Sequence, residues 1–275
     1  MFLERTENDA DSLYGVEAFQ PAPVEQVIAE MRKGVGGPLS LGDMADIAHL
    51  SPYHFARTFR RVTGVPPGEF LSALRLEEAK RLLLTTDLSV SEICFETGYS
   101  SLGTFTTRFK RLVGMSPGRL RRLPEEAAPV LDLLTAADPF PSPSYVAGMH
   151  GQITAPDTDE ALIFVGLFPG AIPQRRPVAG TILTSPGAYM LPPVPDGCYQ
   201  LMAAALPRCV DPLAYLLPDN ALRVGRSPSP VLVRTGTTSG PTDVTLRPPR
   251  NTDPPVLVAL LVLLLERVSE NTRAR

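Results

Sequence analysis

The residues best suited to chemistry in this chain are arginines. In LSPYHFARTFRRVTG, residues 50–64, Arg60 and Arg61 stand together and Arg57 lies one helical turn before them. Phe55, Phe59 and Val62 recur at helical spacing, so the stretch predicts an amphipathic helix with a basic face. Guanidinium groups on such a face suit phosphate oxygens and base edges. Side chains for covalent or metal chemistry are scarce by comparison. The sequence shows no GxSxG elbow, HExxH pair, phosphate loop or CxxC. Cys94, Cys198 and Cys209 are too few and too scattered for a disulfide scaffold or a four-ligand zinc site. No catalytic residue, metal or cofactor is therefore expected. Cys94 falls on a helical core pattern and predicts a buried thiol.

Charge is sorted by segment. The 275 residues carry a formal net charge of −3, which does not announce a nucleic-acid binder. Yet Leu50–Gly68 holds three bases and no acid, and Thr97–Pro124 holds six bases and no acid, whereas the first 35 residues hold seven acids against three bases. The local separation says more about partners than the sum does. The start of the chain, MFLERTENDADSLYG, is acidic and does not read as a signal peptide. The longest apolar run, VLVALLVLLL at 256–265, has ten residues, well short of the roughly 20 a spanning helix needs. The expectation is a soluble cytoplasmic protein with no membrane partner.

Prolines divide the chain. Residues 1–124 contain 8 of the 30, and residues 125–275 contain the rest. Before the boundary the apolar period is helical; after it, short apolar runs alternate with Gly/Pro turns. The expected organisation is a disordered tail at 1–20, an all-α domain at 21–124, a linker at 125–144 and a β-rich domain at 145–275. The linker stretch opens with a short helical piece, PEEAAPVLDLLTAAD, and continues as Pro/Ser.

The first half repeats itself. Leu39, Ser40 and Asp43 match Leu88, Ser89 and Glu92 at an offset of 49; Phe55, Phe59, Arg61, Gly64 and Pro67 match Phe105, Phe109, Arg111, Gly114 and Pro117 at an offset of 50. Such a period means one supersecondary unit used twice. Each unit reads as helix, tight turn, helix. Ser51 caps one second helix with Pro52 at its first position, and Ser100 or Ser101 caps the other. Gly98 supplies a left-handed turn, and Gly64 and Gly114 stop the second helices, about 52–63 and 101–113. Between the units, Gly68–Thr85 predicts one amphipathic helix with Leu71, Leu74, Ala79, Leu82 and Leu83 inward. Its 18 residues span about 27 Å, of the order of the ~34 Å between successive major grooves. Arg75 and Glu78 predict an ion pair on this helix.

On LSPYHFARTFRRVTGVPPGEFLSALRLEEAKRLLL and VSEICFETGYSSLGTFTTRFKRLVGMSPGRLRR, the stretch from Val24 to Arg122 resembles the DNA-binding domain of the AraC/XylS transcription regulators. The resemblance implies about seven helices and one recognition helix per unit, set in adjacent major grooves of double-stranded DNA. It places Tyr53, Ala56 and Arg57 of the first recognition helix against bases, with Arg57 able to donate two hydrogen bonds to guanine. On the second it places Ser101, Gly103, Thr104 and Thr107 there. Arg60, Arg61, Lys110 and Arg111 become phosphate contacts. Two positions depart from the family pattern. Thr107 stands where arginine is common, with the charge moved to Arg108, which joins the base-reading candidates. His49 stands where the turn usually has glycine, and histidine tolerates the left-handed region better than most residues.

In the second half EALIFVGLF (160–168), GAYMLPPV (187–194), GCYQLMAAAL (197–206), SPVLVRTG (229–236) and TDVTLRPP (242–249) predict strands. Five to eight short strands imply a mainly antiparallel β-sandwich. GAYMLPPVPDGCYQL is similar to a pattern of transthyretin-like and carboxypeptidase-regulatory sandwiches. The period of VLVALLVLLL fits strand or helix, Asp253 before two prolines suits a helix start, and the all-apolar run implies burial, with a second subunit as one cover. Arg175 and Arg176 are the candidates for holding an anionic effector. Three roles stay open for this half: sensing a small molecule or forming a homodimer, docking a protein such as RNA polymerase, or catalysis. The regulator family favours the first, although a sensor placed after the DNA reader is an unusual order for it. The reactive Pro-Cys-His-Arg stretch of related DNA-repair methyltransferases is absent.

Overall fold

The computed structural model describes residues 21–136, 148–156, 161–208, 211–217 and 221–273. The tail expected to be disordered (1–20), the Pro/Ser part of the expected linker and Cys209 lie outside them. Seven helices come first: α1 (Ala22–Lys33), α2 (Leu41–Ile47), α3 (Pro52–Thr63), α4 (Pro67–Thr85), α5 (Val90–Glu96), α6 (Leu102–Val113) and α7 (Pro117–Ala136). The repeat has a physical basis at both ends of its units. α2 and α5 each start with a capping box, Ser40 with Asp43 and Ser89 with Glu92, in which the hydroxyl accepts the third-residue N–H and the carboxylate accepts the cap N–H. Those hydrogen bonds hold both carboxyls below the usual carboxylate range. At the other end, α3 and α6 stop at Gly64 (φ 84°) and Gly114 (φ 98°), where a side chain would be strained.

Phe55 and Phe59 of α3, and Phe105 and Phe109 of α6, are fully buried. Within each pair the rings meet at tilted or edge-on angles, with centroids 5.5 and 5.6 Å apart. α4 joins the units. Its expected inner residues Leu71, Leu74, Ala79 and Leu83 are buried, but so are Phe70, Ala73, Leu76 and Lys80. The helix is covered on more than one side, which a one-faced amphipathic reading does not provide. The expected Arg75–Glu78 pair does not form. Arg75 donates to the carbonyls of Val35 (3.0 Å) and Gly37 (2.8 Å), and Glu78 pairs with Arg81. A chain turn short of hydrogen-bond donors takes the arginine, and a carboxylate one turn away takes its neighbour.

α7 runs without a break from Pro117 to Ala136 despite Pro124 and Pro129, so helix crosses the expected boundary at 124 and fills the first part of the linker. Beyond it come β1 (Met149–Thr154), β2 (Leu162–Phe168), β3 (Ala179–Leu183), β4 (Gly187–Leu191), β5 (Gly197–Leu206), α8 (Pro212–Leu216), β6 (Arg223–Arg226), β7 (Val231–Arg234), β8 (Thr237–Ser239), β9 (Val244–Thr245) and α9 (Leu260–Arg273). One sheet is ordered β4-β1-β9, with β1 and β9 parallel; the other runs β3-β2-β5-β7-β8, with β6 also on β5, and is antiparallel throughout. A bridge between Val224 and Arg247 links their edges. The two sheets share a core that includes Ile153, Tyr189, Ile163, Val165, Leu201 and Val231.

The opposite face of β2 and β5 is not solvated. Leu162, Phe164, Met202 and Ala204 belong to the same hydrophobic cluster as the helical half and as Leu257–Leu261 and Leu264. Within the run at 256–265, Leu257–Leu261 and Leu264 are thus buried against the helical half and the sheet, while Val256, Val262, Leu263 and Leu265 stay half-buried. Nor is the run helical from Asp253. Residues 254–259 stay irregular because tertiary partners take their backbone groups: Leu257 and Val258 donate to Pro173 O (both 3.0 Å), and Val256 and Leu257 carbonyls accept from Lys80 Nζ. Asp253 is held instead by Arg247 in a two-pronged pair of 2.7 and 2.8 Å. Among the described residues no helix is long and apolar enough to cross a membrane.

Candidate nucleic-acid interface

Three positions spaced by four and three residues share one side of a helix. On α3 these are Tyr53, Arg57 and Arg60, all exposed; Tyr53 is 81% exposed, far beyond what a core aromatic shows. On α6 the equivalent trio is Gly103, Thr107 and Lys110, again exposed. Arg61 and Arg111 flank them, also exposed. Each trio faces away from its Phe pair, because the phenylalanines anchor the opposite side of the same helix. The two helices therefore present matching surfaces, one carrying three arginines and a tyrosine, the other small hydroxyls with Lys110 and Arg111.

The remaining expected residues divide. Ala56 is half-buried. Thr104 is exposed, and its N–H donates to Ser101 Oγ (3.4 Å), so Ser101 is the helix cap. Its hydroxyl is already an acceptor there and can donate to a base or phosphate only while keeping that role. Arg108 stands apart from the trio. It occupies the position equivalent to buried Thr58, is half-buried, and its Nε is buried without a hydrogen-bond partner. The helix turns its stem toward the core edge.

The turns before the two helices also match. His49 adopts φ 54° and Gly98 φ 77°, so histidine takes the left-handed place as expected. The difference is in the surroundings. A Cβ on Gly98 would stand 2.7 Å from Gly36 O and 3.0 Å from the Arg75 guanidinium, so only glycine fits that turn. Cys94 below it is fully buried, its thiol lies 3.8 Å from Tyr99 O, and burial raises its pKa.

Not every base in the basic segments faces outward. Arg121 donates to Leu83 O (3.2 Å) and Leu88 O, tying α7 to the end of α4, and Arg122 lies 3.9 Å from Glu126. Contacts across the two halves were invisible in the sequence. Arg226 donates to Thr63 O (3.5 Å) at the last turn of α3, and the Arg175 backbone N–H donates to Leu112 O (2.7 Å) at the last turn of α6. The effector candidates thus separate: Arg175 has φ 62° and abuts α6, while Arg176 pairs with Glu266 beside a cleft. Exposed Cys198 shows no metal partners, and among the described residues no cluster of His, Cys, Asp and Glu could hold a metal ion.

Residues 44–123 match a family model described as a helix-turn-helix domain. The HTH-type transcriptional activator AarP of Providencia stuartii is 32% identical over 103 residues, covering 38% of this chain and 76% of AarP. The HTH-type transcriptional regulator GlxA of Rhizobium meliloti is 40% identical over 96 residues, 35% of this chain and 30% of GlxA. The bifunctional transcriptional activator/DNA repair enzyme AdaA of Bacillus subtilis is 32% identical over 100 residues, 36% of this chain and 47% of AdaA. The chain thus spans less than half the length of the last two. Among solved structures, the DNA-binding domain of AdpA in complex with a target DNA is 31% identical, with a TM-score of 0.37 over 39% of this chain and 96% of that one.

Proposed function

The chain belongs to the AraC family of helix-turn-helix transcriptional regulators, and from that membership we propose that it reads double-stranded DNA with α3 and α6 in successive major grooves. The observation that carries this is the pair of matching exposed faces, Tyr53–Arg57–Arg60 and Gly103–Thr107–Lys110, on the second helices of a repeated unit. Arg57 is the base reader of the first unit. Thr107, Thr104 and Ser101 offer the second unit only single hydrogen bonds. Arg60, Arg61, Lys110 and Arg111 hold phosphates, which fix position without specifying sequence. The β-rich domain expected at 145–275 serves as a sensing or dimerising domain of a non-catalytic, cytoplasmic regulator. Its shared core with the helical half supports sensing in particular, since a change in one half is mechanically felt by the other.

The test is a pair of substitutions measured on selected and random duplexes across salt. Arg57→Ala is expected to cost about 1–3 kcal/mol on the selected sequence and little on random DNA. Arg111→Ala is expected to weaken both alike and to reduce the salt slope by about one. Equal losses on both duplexes for Arg57→Ala would remove it as a base reader.

A further inference from the structure

A cleft of about 300 Å³ lies where the outer face of the large sheet meets the helical half and the C-terminal segment. Its floor is apolar and buried: Phe164 and Phe168 of β2, Ile182 of β3, Met202 of β5 and Val258. Its wall is basic. Six arginines line it against three carboxylates, and each carboxylate already has an arginine: Glu77 with Arg32 (3.1 Å), Asp253 with Arg247 (2.7 Å) and Glu266 with Arg176. With twice as many guanidinium groups as carboxylates, the lining is basic. Arg226 and Arg250 are exposed on it, so positive charge reaches the rim above the buried floor. An apolar floor of this size under convergent cations selects a ligand with both characters.

We propose that this cleft binds a small organic anion with an alkyl or aryl body, the body on the Phe164–Met202 floor and the carboxylate among the rim arginines. The same walls touch both DNA-reading units. The end of α3 rests on cleft residues: a Cβ on Gly64 would lie 3.1 Å from Arg226 and 3.5 Å from Ala171. The end of α6 is bonded to Arg175, next to cleft residue Arg176, and α4 between them is bonded through Lys80 to Val256 O, also on the cleft. A ligand that draws Arg226 or the 171–176 segment toward its carboxylate changes the footing of both reading helices at once. Coupling to DNA follows from differential contacts in the two states, and this second part rests on the reading of the chain as a DNA-binding regulator.

The experiment uses the full chain and three probes: octanoate (body and charge), 1-octanol (body alone) and acetate (charge alone). Titration calorimetry without DNA should show one saturable octanoate site, with octanol and acetate binding about tenfold or more weakly. Arg250→Glu should weaken octanoate about tenfold or more with an unchanged melting temperature, and Ala204→Leu, which fills the cleft, should do the same from the apolar side. Octanoate should then change affinity for a selected duplex by about fivefold or more in the wild type and not in Arg250→Glu. No octanoate binding, equal binding of octanol, or binding untouched by both variants would overturn the site. Binding without any change in DNA affinity would overturn the coupling. Because the first titration contains no DNA, failure of DNA reading would show separately, as no duplex being bound with or without octanoate.

Discussion

The two helix-turn-helix units share a frame and differ in what they display. Both begin with a serine–carboxylate capping box, both turn through a left-handed residue, both bury a phenylalanine pair, and both end on a left-handed glycine. On the exposed face the first offers Tyr53, Arg57 and Arg60, while the second offers Gly103, Thr107 and Lys110. A guanidinium can read guanine bidentately; a threonine hydroxyl has one rotatable donor and two acceptor lone pairs, and suits either kind of base edge. The difference teaches that duplication conserves the physics of folding and leaves the display free. Under the proposed reading both units hold phosphates, and the first supplies most of the discrimination.

The two frames carry their largest energies in the core. Phe59→Ala and Phe109→Ala are each expected to cost about 3–5 kcal/mol in chemical denaturation, and to do so alike. A large inequality would mean that the frames are not equivalent. Next comes Lys80, on the helix between the units. Burial pulls its pKa down from 10.5 to about 8, so the folded chain holds its proton less tightly than the unfolded chain does. Below pH 8 both states are protonated and the fold bears the whole penalty. From pH 8 to 10.5 the unfolded state binds more protons, so stability rises, by about 3 kcal/mol at most. In Lys80→Met that rise should disappear from denaturation curves taken at successive pH values. If it persists, the charge is not where the structure puts it.

The display is sharpened by exchange. Thr107→Arg should add sequence preference at the second half-site of about 1–3 kcal/mol, read by competition between duplexes that differ only there. The same preference without any change would show that position 107 does not face bases. The smallest effect is at the caps. Ser40→Ala and Ser89→Ala should each cost about 1 kcal/mol in thermal melts. Loss at one unit only would show that the two boxes are not used alike.

Legibility followed the range of the interactions. The helical half was readable because its determinants are local: serine three residues before a carboxylate, a Phe pair at i and i+4, a glycine at each stop. The second half was readable in its five apolar strands, but β1, β3, β6 and β8 escaped. AGTIL and RVGR owe their extension to partners such as β2 and β5, and glycine and arginine give them no alternating signature. The irregular path of 254–259 depends on Pro173 and on Lys80, the latter 176 residues from Val256. Of the interface, the basic face with Arg57 and Arg60 was legible from helical spacing, whereas Tyr53, Gly103, Thr107 and Lys110 entered only through the family resemblance. The inward tilt of Arg108 was hidden by its charge, although its correspondence to Thr58 in the repeat was a signal that could have revealed it. Arg75 and Arg121 were equally hidden, because carbonyl partners leave no mark in a sequence.

Whether two unlike units read one DNA site is decided by selecting the full-length protein on randomised duplexes at two salt concentrations and sequencing what it keeps. Two blocks of sequence about one helical turn apart are expected, the more informative one lost in Arg57→Ala and the other kept, with the motif sharper at the higher salt. A single uninterrupted block, or no enrichment at either salt, would contradict reading by both units.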